Sequence, residues 1–225
     1  MNSNEEIRHL QKSRRKVAVF GSAVNPITRA HRALAEVLTN SGHFDLVLFF
    51  PSGLRSDKPH LIDSTHRMRM AELAFHDEWK ESQPTEFQVD LREAFKPSIP
   101  TAYLLRELNA EHPDADIIFT TGVDVLTPKE EYGGKNDVAH YWEEGEEMLR
   151  NHTFAVIPRE GYPDPHHLKR AGHIPEHFIV LPPVPPHLTA ISSTEIRRRI
   201  KDGLPIDDYV DEAVAEYIVQ NDLYK

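Results

Sequence analysis

A hydroxyl and an imidazole lie three residues apart where a helix is expected to begin. Thr28 and His31 close the segment 21–31 (GSAVNPITRAH), which follows the apolar run 17–20. At this spacing both side chains lie on one side of the first helical turn. Gly21 lets a ligand approach the backbone, and the free N–H groups of a helix start favour an anion. The segment therefore predicts a phosphate site, although the same residues also suit a plain strand end and a surface histidine.

A second helix start lies in residues 191–199 (ISSTEIRRR). Ser192 followed three residues later by Glu195 is a capping-box pattern, which indicates where the helix begins. Arg197 lies near that start and carries a planar guanidinium that can bind two phosphate oxygens at once. The alternative is a well-capped helix with a solvated basic face.

Two further segments carry charged side chains just beyond apolar runs. The polar loop 52–63 contains Lys58. Asp124 follows the run 117–121, and an acidic residue at such a place suits a ribose hydroxyl or a metal ion. A flexible loop and a turn aspartate are the plainer interpretations.

Composition excludes several classes of function. The 225 residues include 26 basic and 36 acidic side chains, for a formal net charge of −10, which disfavours a protein that binds nucleic acid by its phosphates. The absence of cysteine excludes disulfides, thiolate catalysis and cysteine-based zinc sites. The chain has neither a Walker A loop nor a G-x-G-x-x-G fingerprint. Without a membrane-length apolar run or a secretory signal, it is expected to be cytoplasmic, with no membrane partner.

Alternating strands and helices are expected to position these segments. Short apolar runs predict strands at 17–20, 46–50, 87–91, 117–121, 153–157 and 177–181. Helical patterns predict helices from about residue 28 and at 64–76, 101–112, 137–150, 193–202 and 207–221. This alternation predicts an α/β fold, a Rossmann-like doubly wound parallel sheet with helices on both faces and a C-terminal helical segment. Ligands of such sheets bind at the carboxyl ends of the strands.

The domain organisation is expected to be simple. Residues 1–15 are polar and of mixed charge, and are predicted to form a flexible tail. Residues 16–225 are predicted to form a single domain, in which the polar segment 128–140 is a surface insertion.

The order of these segments resembles the nucleotidyltransferase superfamily with the [HT]-x-G-H signature. Within it, the sequence is most similar to the nicotinate/nicotinamide mononucleotide adenylyltransferases, from about Val17 to Tyr224. The motifs that carry the resemblance are Gly21-Ser22, Asn25-Pro26, Thr28 and His31; Pro51-Ser52-Gly53, Lys58, Arg67 and Met70; Pro100 to Tyr103; Gly122 and Asp124; Ile191 to Arg197; and the tail with Val214, Tyr217, Ile218, Asn221, Leu223 and Tyr224. Two residues depart from the pattern. Ala30 replaces a glycine, and Ala102 stands where a polar residue is usual.

The resemblance implies an enzyme that transfers AMP from ATP to nicotinate or nicotinamide mononucleotide and releases pyrophosphate, in NAD biosynthesis, with Mg²⁺ accompanying ATP. It implies catalytic roles for His31, Thr28, Lys58 and Arg197. ATP is expected to contact Gly21, Ser22, His31, Gly122, Asp124, Ile191, Ser192, Ser193, Thr194 and Arg197. The mononucleotide is expected to contact Ser22, Ala23, Thr101, Tyr103 and Trp142. No protein side chain is expected to be a dedicated metal ligand.

Other functions remain open at this stage. One is an adenylyl- or cytidylyltransferase of the same superfamily that acts on a different phosphorylated small molecule. Another is a non-catalytic nucleotide-binding protein. A histidine-based metal enzyme is disfavoured because no H-x-x-x-H helix with an adjacent acid is present among the 14 histidines. The sequence leaves open the choice between nicotinate and nicotinamide, and the oligomeric state.

Overall fold

Six parallel strands form one sheet in the computed structural model, which describes residues 14–175 and 177–225. In chain order they are β1 (Arg15–Ser22), β2 (Leu46–Pro51), β3 (Glu86–Val89), β4 (Ala115–Gly122), β5 (Thr153–Ile157) and β6 (Phe178–Val180). Their spatial order is β3-β2-β1-β4-β5-β6. The predicted doubly wound parallel sheet is confirmed. From β1 the chain adds β2 and β3 on one side of the sheet and then crosses over to add β4, β5 and β6 on the other side. Folds of this kind bind ligands where the order of strands reverses, which here is beside β1.

Short helices join the strands. They are α1 (Arg29–Asn40), α2 (Ser64–Ala74), α3 (Asp77–Glu81), α4 (Thr101–Glu111), α5 (Val123–Leu126), α6 (Asp137–Tyr141), α7 (Gly145–Asn151), α8 (Pro165–Arg170), α9 (Pro186–Thr189), α10 (Ser193–Lys201) and α11 (Glu212–Gln220). A 3₁₀ turn covers Glu130–Tyr132. No helix in these described ranges is long and apolar enough to cross a membrane.

Both faces of the sheet are buried, which explains why the strands read as almost continuous apolar runs. Along β1, Ala18 and Phe20 pack on one face, and Val17 and Val19 pack on the other. The first face is covered by α1, α2, α3, α10 and α11, and the second by α4 to α8. The terminal helices α10 and α11 therefore lie on the same face as α1, close to the loop that follows β1.

The single helix predicted at 137–150 is wrong. It is two helices, α6 and α7, because Glu144 adopts a left-handed conformation with φ of 55°. Gly145 lies so close to the backbone of α6 that a Cβ atom would fall 1.7 Å from the carbonyl oxygen of Val138. Helical periodicity cannot reveal such a break, because it depends on how closely two turns pack.

Other boundaries also differ from the sequence predictions. The terminal helix begins at Glu212 rather than at residue 207. The short helices α3, α5, α8 and α9 were not predicted, because four to six residues carry too little periodicity. The predicted tail 1–15 lies mostly outside the described residues, although Arg15 already belongs to β1. In the segment 128–140, Asn136 and Val138 are buried. The division into a tail, one domain and an insertion stays a prediction.

Candidate active site

His31 is held at the start of α1 by a reciprocal capping arrangement with Thr28. The Thr28 backbone N–H donates to His31 Nδ1 over 3.0 Å, and the Thr28 side chain accepts from the His31 backbone N–H. Because Nδ1 accepts this hydrogen bond, the neutral ring carries its proton on Nε2. Nε2 lies 2.7 Å from the hydroxyl oxygen of Ser22, which is placed to accept that proton.

The environment of His31 keeps its ring neutral. Burial, and then the positive charge of Lys58, lower the pKa of His31 from 6.5 to about 4. Near pH 7 the residue is therefore a neutral hydrogen-bond donor through Nε2 rather than a proton acceptor. Such a donor can stabilise negative charge as it develops on an oxygen.

Thr28 contributes to the position of His31 and does not reach the cavity. Its side chain is buried, and its hydroxyl oxygen lies 2.8 Å from His31 Nδ1. The hydroxyl is already used in the cap, and the predicted contact between Thr28 and phosphate stays a prediction. The expected free N–H groups of α1 are also largely occupied. The Arg29 backbone N–H donates to the Tyr209 carbonyl over 2.9 Å, and the His31 backbone N–H donates to Thr28 within the cap.

A cationic cavity of about 490 Å³ opens at the carboxyl end of β1. It brings together predicted residues from three separate parts of the chain, namely Ser22, Ala23, His31, Lys58, Ile191, Ser192, Ser193, Thr194 and Arg197. Burial, together with the charges of Arg55 and Arg197, lowers the pKa of Lys58. A bound polyphosphate would relieve this repulsion between cations.

The start of α10 forms one wall of this cavity. Ser192 caps the helix by accepting from the Glu195 backbone N–H over 3.2 Å, as the capping pattern predicts. The Arg197 guanidinium donates to the Asn25 carbonyl oxygen over 2.6 Å and to the Thr194 hydroxyl over 3.1 Å. These bonds fix the guanidinium beside the loop that precedes α1.

A smaller cavity of about 170 Å³ has aromatic walls and lies beside the first. Phe50, Phe119 and Trp142 line it, and Ser22 lines both cavities. Trp142 meets Phe119 edge to face, with 5.5 Å between ring centroids. The dimensions and the aromatic walls suit a flat ring next to a phosphate-binding cavity.

The predicted residues are divided between the two cavities, and their contacts with substrate stay predictions. Gly21, predicted to contact ATP, lines the aromatic cavity together with Thr101, whereas Ala23, predicted to contact the mononucleotide, lines the cationic one. Tyr103 lines neither cavity, and its hydroxyl donates to Glu143 over 2.5 Å.

Gly122 and Asp124 also lie outside the walls of both cavities. Gly122 precedes α5, and the Asp124 carboxylate accepts from Arg159 over 3.2 Å. A contact between Asp124 and ATP stays a prediction.

Comparison with known proteins decides the family. The model of the cytidylyltransferase-like family matches residues 19–199. The chain belongs to this family. A probable nicotinate-nucleotide adenylyltransferase from Leifsonia xyli subsp. xyli is 30% identical, over 96% of this chain and 96% of the relative. One from Lachnoclostridium phytofermentans is 30% identical, over 93% of this chain and 99% of the relative. The resemblance drawn from the motifs is confirmed.

Solved structures agree on the fold of this cytidylyltransferase-like protein. The nicotinic acid mononucleotide adenylyltransferase of Plasmodium falciparum, complexed with NaAD, superimposes with a TM-score of 0.76 at 22% identity. The match covers 93% of this chain and 97% of that one. A putative nicotinate-nucleotide adenylyltransferase from Vibrio parahaemolyticus gives 0.58 at 24% identity, over 93% of this chain and 95% of that one.

Sequence reasoning missed several residues of this cytidylyltransferase-like site. Asn25, Asp57, His60 and Leu61 also line the cationic cavity, and Phe50, Ser52, Arg55, Glu93 and Ser98 also line the aromatic one. Asn25 and Ser52 belong to the motifs that carry the family resemblance, but no contact with substrate was expected of them. Glu93 gave no local signal, because it lies on the irregular segment after β3 and enters the cavity by tertiary folding alone.

Carboxylates are sparse around the site. Among the described residues, no group of three or more histidine, aspartate or glutamate side chains is close enough to hold a metal ion. Asp57 lines the cationic cavity but is paired with Arg55, over 2.9 and 2.7 Å. The donor set therefore fits an ion that arrives with a phosphate ligand better than one held by the protein.

Proposed function

We propose that this protein transfers AMP from ATP to nicotinate mononucleotide, forming the dinucleotide and pyrophosphate in NAD biosynthesis. The observation that carries the proposal is the pair of adjoining cavities that share Ser22. The cationic cavity suits the triphosphate of ATP. The aromatic cavity suits the pyridine ring, and a phosphate attached to that ring's ribose would lie near their junction.

The acceptor choice rests on the relatives and on one helix. The curated relatives are named for nicotinate nucleotide, and the Plasmodium falciparum structure is a complex with NaAD. Thr101 begins the 11-residue helix α4 and lines the aromatic cavity. The positive end of a helix dipole favours the carboxylate of nicotinate over the neutral amide of nicotinamide.

The reaction needs charge stabilisation more than proton transfer. An oxygen of the mononucleotide phosphate attacks the α-phosphorus of ATP, and the bond to the β-phosphate breaks with its electron pair leaving on pyrophosphate. A phosphate monoester is largely ionised at pH 7, so no general base is required. His31 Nε2 donates to the α-phosphoryl oxygens as their charge grows, once Ser22 has yielded that position to substrate.

Lys58 and Arg197 hold the triphosphate and the departing pyrophosphate. Both side chains line the same cavity, and Arg197 is oriented by its hydrogen bonds to Asn25 and Thr194. Holding the reactants in line accounts for a large part of the rate in reactions of this kind. A Mg²⁺ ion that arrives with ATP would supply further neutralisation of the phosphate charge, next to Lys58 and Arg197.

A pyrophosphate-release assay tests the proposal. The purified protein is incubated with Mg²⁺, ATP and either nicotinate mononucleotide, nicotinamide mononucleotide or phosphopantetheine, and the product is identified by mass. We expect pyrophosphate only with a pyridine mononucleotide, with nicotinate preferred. CTP in place of ATP is expected to give little product. Equal turnover of phosphopantetheine, or none of either mononucleotide, would reject the assignment.

The cytoplasmic location remains a prediction.

A further inference from the structure

A tyrosine beyond the last helix contacts Asn25, a residue that lines the cationic cavity. Tyr224 follows α11, and its hydroxyl donates to the side-chain oxygen of Asn25 over 3.1 Å, across 199 positions of sequence. Its ring packs against the core on the α1 side of the sheet. Neither the family resemblance nor the mechanism above gives this hydroxyl a role.

Asn25 joins the three parts of the chain that build the cavity. Its side-chain oxygen also accepts from the Ile62 backbone N–H over 3.4 Å, and its side-chain nitrogen donates to the His60 carbonyl over 3.3 Å. His60 and Ile62 follow Lys58 by two and four residues in the same loop. The Asn25 backbone carbonyl accepts from Arg197 over 2.6 Å. Asn25 itself is only 5% exposed.

The orientation of the Asn25 amide is determined by these partners. The Ile62 N–H requires an acceptor and the His60 carbonyl requires a donor, so these two backbone groups orient the amide and its oxygen then accepts from the Tyr224 hydroxyl. Burial raises the pKa of Tyr224 well above 10, so the hydroxyl keeps its proton and acts as a donor. Rotating the amide by half a turn would direct its NH₂ group at the Ile62 N–H and leave the buried His60 carbonyl opposite an oxygen.

We propose that Tyr224 is a positioning residue for ATP binding. Its hydroxyl fixes the Asn25 amide, and Asn25 in turn holds the Lys58 loop and Arg197 around the cationic cavity. The inference rests on the ATP half of the proposed function only and is independent of which acceptor is used. Because Lys58 and Arg197 hold the triphosphate before and during reaction, losing their alignment weakens ATP binding more than it lowers kcat.

Tyr224→Phe tests this with the smallest change, and Tyr217→Phe is the matched control. Tyr217 lies on α11, also packs on this core, and its hydroxyl bonds His66 Nδ1 over 2.9 Å, so the control removes a comparable hydrogen bond away from Asn25. The Kd of Mg²⁺–ATP is measured by titration calorimetry on both variants, with thermal melts. We expect Tyr224→Phe to bind ATP about three- to tenfold more weakly, the effect of one hydrogen bond, and Tyr217→Phe to bind it as the native protein does.

A double variant separates positioning from a general loss of packing. If Tyr224 acts through Asn25, then adding Tyr224→Phe to Asn25→Ala weakens ATP binding no further than Asn25→Ala alone. Equal Kd values for Tyr224→Phe and the native protein, or additive losses in the double variant, would overturn the inference. Native protein that binds ATP but transfers nothing to nicotinate mononucleotide would reject the proposed acceptor and leave this result intact. Native protein that binds no ATP would reject both.

Discussion

The backbone N–H of Thr28 donates to Nδ1 of His31 over 3.0 Å. This bond decides which nitrogen of the imidazole faces the cavity with a proton. The same arrangement therefore caps α1 and orients a hydrogen-bond donor towards the phosphate, because the histidine at the third helical position bonds back to the N-cap residue.

Replacing His31 tests this donor directly. His31→Ala is expected to lower kcat by about 10²–10³, the usual effect of removing one preorganised donor, with ATP affinity changed far less. His31→Asn keeps an N–H donor and is expected to recover part of the loss. Steady-state kinetics with thermal melts as the folding control decide the matter. A near-native kcat in His31→Ala would exclude His31 from the mechanism.

Acid destabilisation provides a second test of the His31 environment. The unfolded chain protonates His31 below about pH 6.5, whereas the folded protein does so only near pH 4. The contribution of His31 to the free energy of unfolding is therefore fully present above pH 6.5. It is lost as the pH falls towards 4, because the unfolded state binds a proton that the folded state does not. Urea unfolding at pH 4.5 and 7 is expected to show a smaller pH-dependent loss for His31→Asn than for the native protein. Parallel losses would contradict the lowered pKa.

Trp142 is expected to contribute to the affinity for the mononucleotide and not to the affinity for ATP. Stacking of an aromatic side chain on a base is worth about 1–3 kcal/mol, so Trp142→Ala is expected to raise the KM for nicotinate mononucleotide roughly five- to 150-fold. Trp142→Phe keeps an aromatic face and is expected to lose less. The Kd of ATP, measured without acceptor, is expected to stay unchanged in both. A parallel rise in the ATP Kd would indicate that Trp142 supports the fold of the site instead.

The role of Asp124 can be separated from that of its ion pair. Asp124→Ala and Arg159→Ala both abolish the contact between these two side chains, but only the first removes the carboxylate. If the carboxylate contacts ribose or the metal ion, turnover falls in Asp124→Ala and not in Arg159→Ala. Both melting temperatures are expected to change little, because partly exposed ion pairs contribute at most about 1 kcal/mol. Equal kinetics in the two variants would remove Asp124 from the site.

Local patterns were sufficient for the six strands and for the starts of α1 and α10. The apolar run that became β1, the cap at Thr28 and the cap at Ser192 all depend on residues within about four positions of one another. Such features depend on hydrogen bonds and periodicity that a short segment contains in itself. The same segments marked His31 and Arg197 as possible phosphate ligands, whereas the role of Lys58 was implied by the family resemblance.

Only the tertiary structure decided which polar side chains face the cavities and which are already engaged in hydrogen bonds elsewhere. The sequence cannot distinguish Thr28, whose hydroxyl is buried in a cap, from Ser22, which lines both cavities. Nor does it reveal that Gly145 breaks a helix or that Tyr224 meets Asn25. These facts depend on contacts between residues far apart in the chain, or on the close approach of two backbones. Side-chain periodicity does not record such contacts, because they exist only after the sheet has brought its loops to one edge.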